Sequence, residues 1–261
     1  MAHSYGRVTW WPRVPTIHSY PSGSRPANGP WSDRPARPIW NNGTVSSPAD
    51  PISLRRSYES GQLSEDGLAG SWREQLQSWY DQAAADPRIT DPNAMQLATA
   101  DEAGLPDVRT VLARGFDSSG VIFYTGHDSA KGRQLAANPN AAAVFSWLPL
   151  ERQIRLRGPV QQVDRAQTEA YFAGRPRGSQ LAAWASPQSH PLTGRAELDE
   201  RYAAVTERFA DGAIPAPPGW GGYRIVVREM EFWQGRQFRL HDRLRFRQGS
   251  DGDWTVERLA P

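Results

Sequence analysis

Apolar residues first fall into a regular rhythm at residue 71. Trp72, Leu76, Trp79, Tyr80 and Ala83 recur at helical spacing, and Ser71 followed three residues later by Glu74 is a capping-box start, so the pattern predicts an amphipathic helix. Asp91-Pro92 stops helical structure. Strands are then expected at 94–100, 108–114 and 121–125, separated by the turns Asp101-Glu102-Ala103-Gly104 and Asp117-Ser118-Ser119-Gly120, which makes a meander. Ser129 caps a short helix running to Asn138-Pro139, and strands follow at 141–147, 153–157 and 160–163. Asp164 with Gln167 opens a helix through Tyr171 that ends near Arg175-Pro176, and a longer helix carries Leu198, Tyr202, Val205 and Phe209. The last third returns to strands at 223–227, 231–233, 244–247 and 254–259. Many short strands joined by tight turns, with helices inserted between them, predict a mainly β fold: a barrel decorated by helices.

Residues 1 to about 50 lack either period. They mix Pro, Gly, Ser, Asn and Arg with Trp10, Trp11, Trp31 and Trp40, a composition expected of a disordered extension; the tryptophans either dock on the folded body or a partner, or belong to an upstream stretch included by a misassigned start. For the remaining chain, composition mainly excludes. With 38% hydrophobic and 22% charged residues and no apolar run of bilayer length, a membrane span is not expected, and the N-terminus lacks the pattern of a secretory signal. The absence of cysteine removes disulfides, thiolate metal sites and thiol nucleophiles, and the expectation is a cytoplasmic protein with no metal. A net charge of +2, with basic and acidic residues interspersed, does not suggest nucleic-acid binding. Lys131 is the only lysine in the chain.

Neither a G-x-G-x-x-G nor a P-loop motif is present, so any phosphate must be held by side chains and helix starts. Three groups are candidates. Arg109, on the second strand, and Lys131, in the first turn of the helix that Ser129 caps, are either solvated surface cations or the two parts of an anion site. Tyr171 and Arg175 share a helix face and Ser179 lies just beyond Pro176; the three make either a phosphate cradle or a helix-end cluster. Arg239, His241 and Arg243 alternate, which in a strand puts three potentially cationic groups on one face and calls for an anion or a carboxylate unless the hairpin is simply exposed.

These stretches also carry a family likeness. LRRSY (54–58), RTVLAR (109–114), FYTGHDSAKGRQ (123–134), ERQIRLRGPV (151–160), YFAGRPRGSQLAAWAS with the following QS (171–189), PPGWGGYR (217–224), EFWQGR with FRLHDR (231–243) and the terminal ERLAP resemble, in order, the pyridoxamine 5'-phosphate oxidase family. The resemblance implies a split β-barrel homodimer that binds FMN at the subunit interface, with 51–70 as an N-terminal lid and 71–261 as one FMN-binding domain. By the same resemblance Arg109 and Lys131 contact the FMN phosphate. Thr110, Val111, Leu112, Tyr124, Thr125, Gln153, Gln188, Ser189, Trp233 and Arg243 match other flavin-contacting positions, some supplied across the interface. Arg114, Tyr171, Arg175 and Ser179 match residues that take the substrate phosphate, while Arg239 and His241, with Leu240 between them, match the stretch against the pyridine ring. Arg55 and Tyr58 match the lid.

The implied reaction is oxidation of pyridoxamine or pyridoxine 5'-phosphate at C4', two electrons passing to FMN and then to O2, with Arg239 and His241 as the catalytic pair. Three positions depart from the family pattern: Arg114 stands where lysine is typical, Ala130 where some members have arginine, and Ser57 where some have an acidic residue. A guanidinium fork is not equivalent to a compact ammonium, so Arg114 bears on substrate affinity. A deazaflavin- or flavin-dependent reductase on the same barrel, or a non-catalytic carrier of pyridoxal phosphate or FMN, are the rival readings.

Overall fold

A computed structural model of the chain describes residues 57–210 and 212–261. The expectations for residues 1–50 and for Arg55 lie outside the described residues. Everything described belongs to one compact unit, Arg55–Pro261.

Helix α1 spans Trp72–Ala85, and the Ser71 hydroxyl accepts the Glu74 N–H at 3.2 Å, as its capping signature predicts. Its buried face carries Trp72, Leu76, Trp79 and Ala83. The meander follows as β1 (Ala94–Ala100), β2 (Pro106–Phe116) and β3 (Gly120–Gly126), then α2 (Ala130–Ala137) and β4 (Asn140–Trp147). Next come β5 (Arg152–Gln162), the helices α3 (Arg165–Ala173), α4 (Arg177–Ala185) and α5 (Arg195–Phe209), and the strands β6 (Trp220–Val226), β7 (Glu229–Gln234), β8 (Asp242–Gln248) and β9 (Trp254–Arg258).

Strand order runs β4-β1-β2-β3-β6-β5, and a further β4–β5 pairing closes these six into an antiparallel barrel. Leu97, Phe123, Phe145, Ile154 and Ile225 are buried in its core. From β5 the sheet continues outward through β7, β8 and β9 as a wing. Trp79 of α1 packs edge-on against Phe232 of that wing at 5.4 Å. A second, smaller core of Phe172, Leu181, Ile214, Ala216 and Trp220 joins the helical insertion to β6.

Three expectations are corrected. Strands 153–157 and 160–163 are one strand, β5, which pairs with β4 and β7 through its first half and with β6 through 160–162. Gly158 permits the crossing, because a Cβ there would lie 1.9 Å from the Val226 carbonyl oxygen. Helical structure resumes immediately at α4, since the φ of −51° at Pro176 suits a helix entry. Finally, Arg239, His241 and Arg243 do not share a strand face. Arg239 closes a 3-10 turn, Gln237–Arg239, and β8 starts only at Asp242.

Candidate active site

The barrel, α2 and the helical insertion enclose a cavity of about 420 Å³. It is lined by Arg109, Thr110, Val111, Leu112 and Arg114 of β2, Tyr124 and Thr125 of β3, Lys131 of α2, Tyr171 of α3, Arg175, the pair Gln188 and Ser189, and Trp220 of β6. Apart from Trp220, every one of these was anticipated from the sequence. The volume is of the size that holds a cofactor or small ligand.

Each cation is placed by a specific device. The Arg109 guanidinium donates to the Thr99 hydroxyl at 2.5 Å and to Gln134 Oε1 at 3.0 Å, and it pairs with Asp107, so β1, β2 and α2 jointly orient it. Lys131 is buried; its ammonium donates to Thr125 Oγ1 at 3.1 Å and to Ser129 Oγ at 3.2 Å. Burial, reinforced by the nearby Arg109 charge, lowers its pKa to about 8. Ser129 caps α2 by accepting the Gly132 N–H. Gly132 is required there, because a Cβ would meet the His127 carbonyl oxygen at 2.1 Å.

Arg114 sits at a register shift between Ala113 and Gly115 on β2, a bulge of the kind that re-aims a side chain. Arg175 stacks over the Trp220 ring at 4.7 Å and the Phe172 ring at 5.4 Å, and its Nη1 is buried without a hydrogen-bond partner. Burial lowers the Arg175 pKa, Tyr171 opposes that and Arg114 adds to it. A buried guanidinium nitrogen with no protein acceptor is costly and is well matched to a ligand oxyanion. Tyr124 and Tyr171 stack with centroids 3.9 Å apart, and Trp220 continues the stack 5.5 Å from Tyr124. The Gln188 carboxamide oxygen accepts from Thr125 Oγ1 at 2.9 Å and from the Gly126 N–H at 3.1 Å, which fixes the loop that carries Ser189. Ser179 is half-buried on the first turn of α4 and is not among the lining residues.

Trp220 is the cavity-lining residue that sequence reasoning missed. The two glycines after it were the available signal. A Cβ at Gly221 would meet His127 Nε2 at 2.6 Å and one at Gly222 the Tyr124 ring at 2.8 Å, so this strand approaches the site more closely than side chains allow.

The other anticipated residues form a second group. On the wing, Gln153, Trp233 and Arg243 stand opposite one another across β5, β7 and β8. His241 lies 4.6 Å from the Trp233 ring, and Tyr58 meets both edge-on at 5.8 and 5.6 Å. The Arg236 N–H donates to His241 Nδ1 at 3.1 Å, leaving the neutral ring's proton on Nε2. Burial and then Arg239 lower the His241 pKa, which favours that neutral form. Arg243 already has its carboxylate: its Nε donates to buried Glu231 at 2.7 Å. Burial works against the Glu231 charge, yet Arg243 and Arg155 outweigh it and hold the carboxyl below its ordinary value. Arg239 and Leu240 stand at the exposed tip of the same loop. Within one chain, none of the hydrogen bonds, ion pairs or ring contacts among the described residues joins this group to the first.

Residues 81–209 match the family model described as pyridoxamine 5'-phosphate oxidase, and residues 220–261 match the pyridoxine 5'-phosphate oxidase C-terminal dimerisation region. The chain belongs to the pyridoxamine 5'-phosphate oxidase family. A pyridoxine/pyridoxamine 5'-phosphate oxidase of Saccharopolyspora erythraea is 55% identical over 210 residues, covering 80% of this chain and 94% of its own. One of Frankia alni is 46% identical over 243 residues, covering 92% and 96%, so that likeness reaches into the first fifty residues. Among solved structures, PhzG from Burkholderia lata 383, in complex with tetrahydrophenazine-1-carboxylic acid, matches with a TM-score of 0.71 at 31% identity, over 75% of this chain and 95% of its own. A pyridoxamine 5'-phosphate oxidase-related, FMN-binding protein from Nostoc punctiforme shares the fold, with a TM-score of 0.60 at 20% identity over 75% of this chain and 99% of its own. Apart from Trp220, the cavity residues fall in the first family match, and so does Gln153 of the wing; Trp233, Arg239, Leu240, His241 and Arg243 fall in the second. Among the described residues no helix is long and apolar enough to cross a membrane.

Proposed function

We propose that this chain acts as a homodimeric, FMN-dependent oxidase converting pyridoxamine 5'-phosphate and pyridoxine 5'-phosphate to pyridoxal 5'-phosphate, in the cytoplasm. The observation that carries this reading is the single cavity in which Arg109, Arg114, Lys131 and Arg175 converge around stacked aromatic rings. That donor set fits two phosphorylated ring compounds. Bound FMN would supply the redox chemistry, two electrons from the substrate's C4' reducing O2 to hydrogen peroxide; the alcohol substrate gives the aldehyde directly, and the amine takes up water and releases ammonia.

The protein's part is binding and orientation. Arg109 and Lys131 hold the FMN phosphate, with Thr110, Val111, Leu112, Tyr124, Thr125, Gln188 and Ser189 along the cofactor. Arg114, Tyr171, Arg175 and Ser179 take the substrate phosphate, and the free Arg175 nitrogen is the donor best suited to it. Gln153, Trp233 and Arg243 of the second copy complete the flavin site, and its Arg239, Leu240 and His241 face the substrate ring. Arg239 holds the reacting substituent and neutral His241 shapes and polarises the pocket; no strong base is required of either. Tyr58, packed on Trp233 and His241, and Arg55 close the site against water. Arg114 in place of lysine offers a bidentate fork to the same phosphate.

The test is peroxide release by purified protein given pyridoxine 5'-phosphate, with and without added FMN, alongside anaerobic bleaching of the yellow flavin. Turnover that depends on FMN is expected. Bound FMN with no turnover eliminates the oxidase reading in favour of a carrier, and turnover only with a deazaflavin or another reductant favours a reductase. The likeness to PhzG makes tetrahydrophenazine-1-carboxylate the competing substrate to include. Preference for it over the phosphorylated pyridines would overturn the substrate assignment.

A further inference from the structure

The loop between β7 and β8 displays an apolar side chain that its own chain does not use. Phe238 is 87% exposed, the highest value among the large apolar residues described, and Leu240, two residues on, is 68% exposed. Phe238 and Arg239 both adopt left-handed backbone conformations, with φ of 56° and 63°. Such a conformation is strained for a bulky non-glycine residue, and two in succession need an external reason. The loop is nevertheless firmly held at its base. The Gln237 side chain donates to Glu59 at 3.0 Å, the Leu240 N–H to the Gln237 carbonyl at 3.1 Å, and the Arg236 N–H to His241 at 3.1 Å. The tip is therefore presented in a fixed pose rather than left loose.

We infer that Phe238 is a docking anchor that inserts into a second copy of this chain and thereby positions the adjacent Arg239 over that copy's cationic cavity. The loop lies inside the stretch matched to a dimerisation region, and the two groups of site residues remain unjoined within one chain. An exposed aromatic next to the residue that must cross between copies is the expected form of such an anchor. The inference rests on the reading that the two groups complete one site from two copies. Phe238 itself touches no substrate in this scheme; it is a positioning residue.

Two measurements on the full-length FMN-loaded protein decide it. The chain has no cysteine, so Phe238→Cys supplies a unique thiol, and maleimide labelling of it needs no catalytic activity. Labelling at least about tenfold slower than at Glu207→Cys, an exposed position on α5, is expected, with dimer confirmed by sedimentation. Equal labelling rates, or a monomeric protein, overturn the anchor. The second measurement separates docking from backbone strain. Phe238→Asn tolerates the left-handed conformation but is polar, whereas Phe238→Leu keeps apolar bulk. Phe238→Asn is expected to lower kcat/KM for pyridoxine 5'-phosphate by about tenfold or more with FMN content and Tm retained, and Phe238→Leu to stay within about threefold of the parent. Full activity in Phe238→Asn with loss in Phe238→Leu would assign the residue a conformational role only. If the parent itself does not oxidise the substrate, the oxidase reading fails while the labelling result still decides the docking.

Discussion

Lys131 stands where burial resists its charge, and a phosphate would reverse that balance. Its pKa of about 8 lies below the ordinary lysine value of 10.5. Below pH 8 the ammonium is charged with or without an anion nearby. Above it, binding an anion must bring in a proton, so affinity falls as pH rises, by up to about tenfold per pH unit for one linked proton. The FMN dissociation constant, measured by quenching of flavin fluorescence, is expected to be flat near pH 7 to 8 and to rise above it. Lys131→Arg is expected to flatten the profile, because arginine keeps its charge throughout. Linkage to folding has the opposite sign: the unfolded chain holds this proton up to pH 10.5 and the folded one only to about 8, so this residue's contribution to stability improves between those values. Trp220 acts through its neighbours. Trp220→Leu removes the ring under Arg175 and the end of the Tyr124 stack. It is expected to raise KM for the phosphorylated substrate several-fold, on the order of the 1 to 2 kcal/mol of a desolvated cation–π contact, with a smaller change in FMN affinity. Steady-state kinetics and a flavin titration read the two separately.

At the scale of elements, β5 connects the cavity's barrel to the wing that bears the second group. Its first half pairs with both β4 and β7, and its end turns onto β6. Gly158 is the point where this strand passes the Val226 carbonyl. Gly158→Ala is expected to destabilise the fold by about 1 to 3 kcal/mol, as overpacking does, visible as a lowered midpoint in urea. Periodicity could not show that 153–157 and 160–163 are continuous, because Gly-Pro reads locally as a break and only the neighbouring strands make it a bend. The entry to α4 was hidden similarly, since Pro176 reads as a stop after α3 and is in fact the N-cap of the next helix. Helix starts marked by a side-chain cap were legible: the hydroxyls of Ser71 and Ser129 and the Asp164 carboxylate each accept the backbone N–H their spacing indicated.

At the scale of the whole molecule, the two separated groups lead to a mixing experiment. Lys131→Ala disables the cavity group and Arg239→Ala the loop group. Alone, the first is expected to loosen FMN and the second to spare flavin binding while reducing turnover. At an FMN concentration that leaves Lys131→Ala unloaded, random reassociation of the two impaired proteins yields half mixed dimers, each with one intact site, which should add about a quarter of the parent activity. No recovery, with mixed dimers demonstrated by mass, would place each complete site within a single chain.

The amino-acid sequence by itself determined the strand succession outside β5, the capped helix starts and, apart from Trp220, the residues of the cationic cavity, because these depend on spacing between near neighbours and on motifs kept in order. What only the tertiary structure decided was which distant groups meet. Arg114 is placed by a bulge, Trp220 enters through a pair of glycines, and Arg243 finds its countercharge in Glu231 on the adjacent strand. It also removed Arg239 and His241 from the strand that alternation had assigned them, because a left-handed turn at Phe238 and Arg239 ends that register. Such outcomes follow from strand pairing and close packing between residues far apart in the chain, which no local pattern encodes.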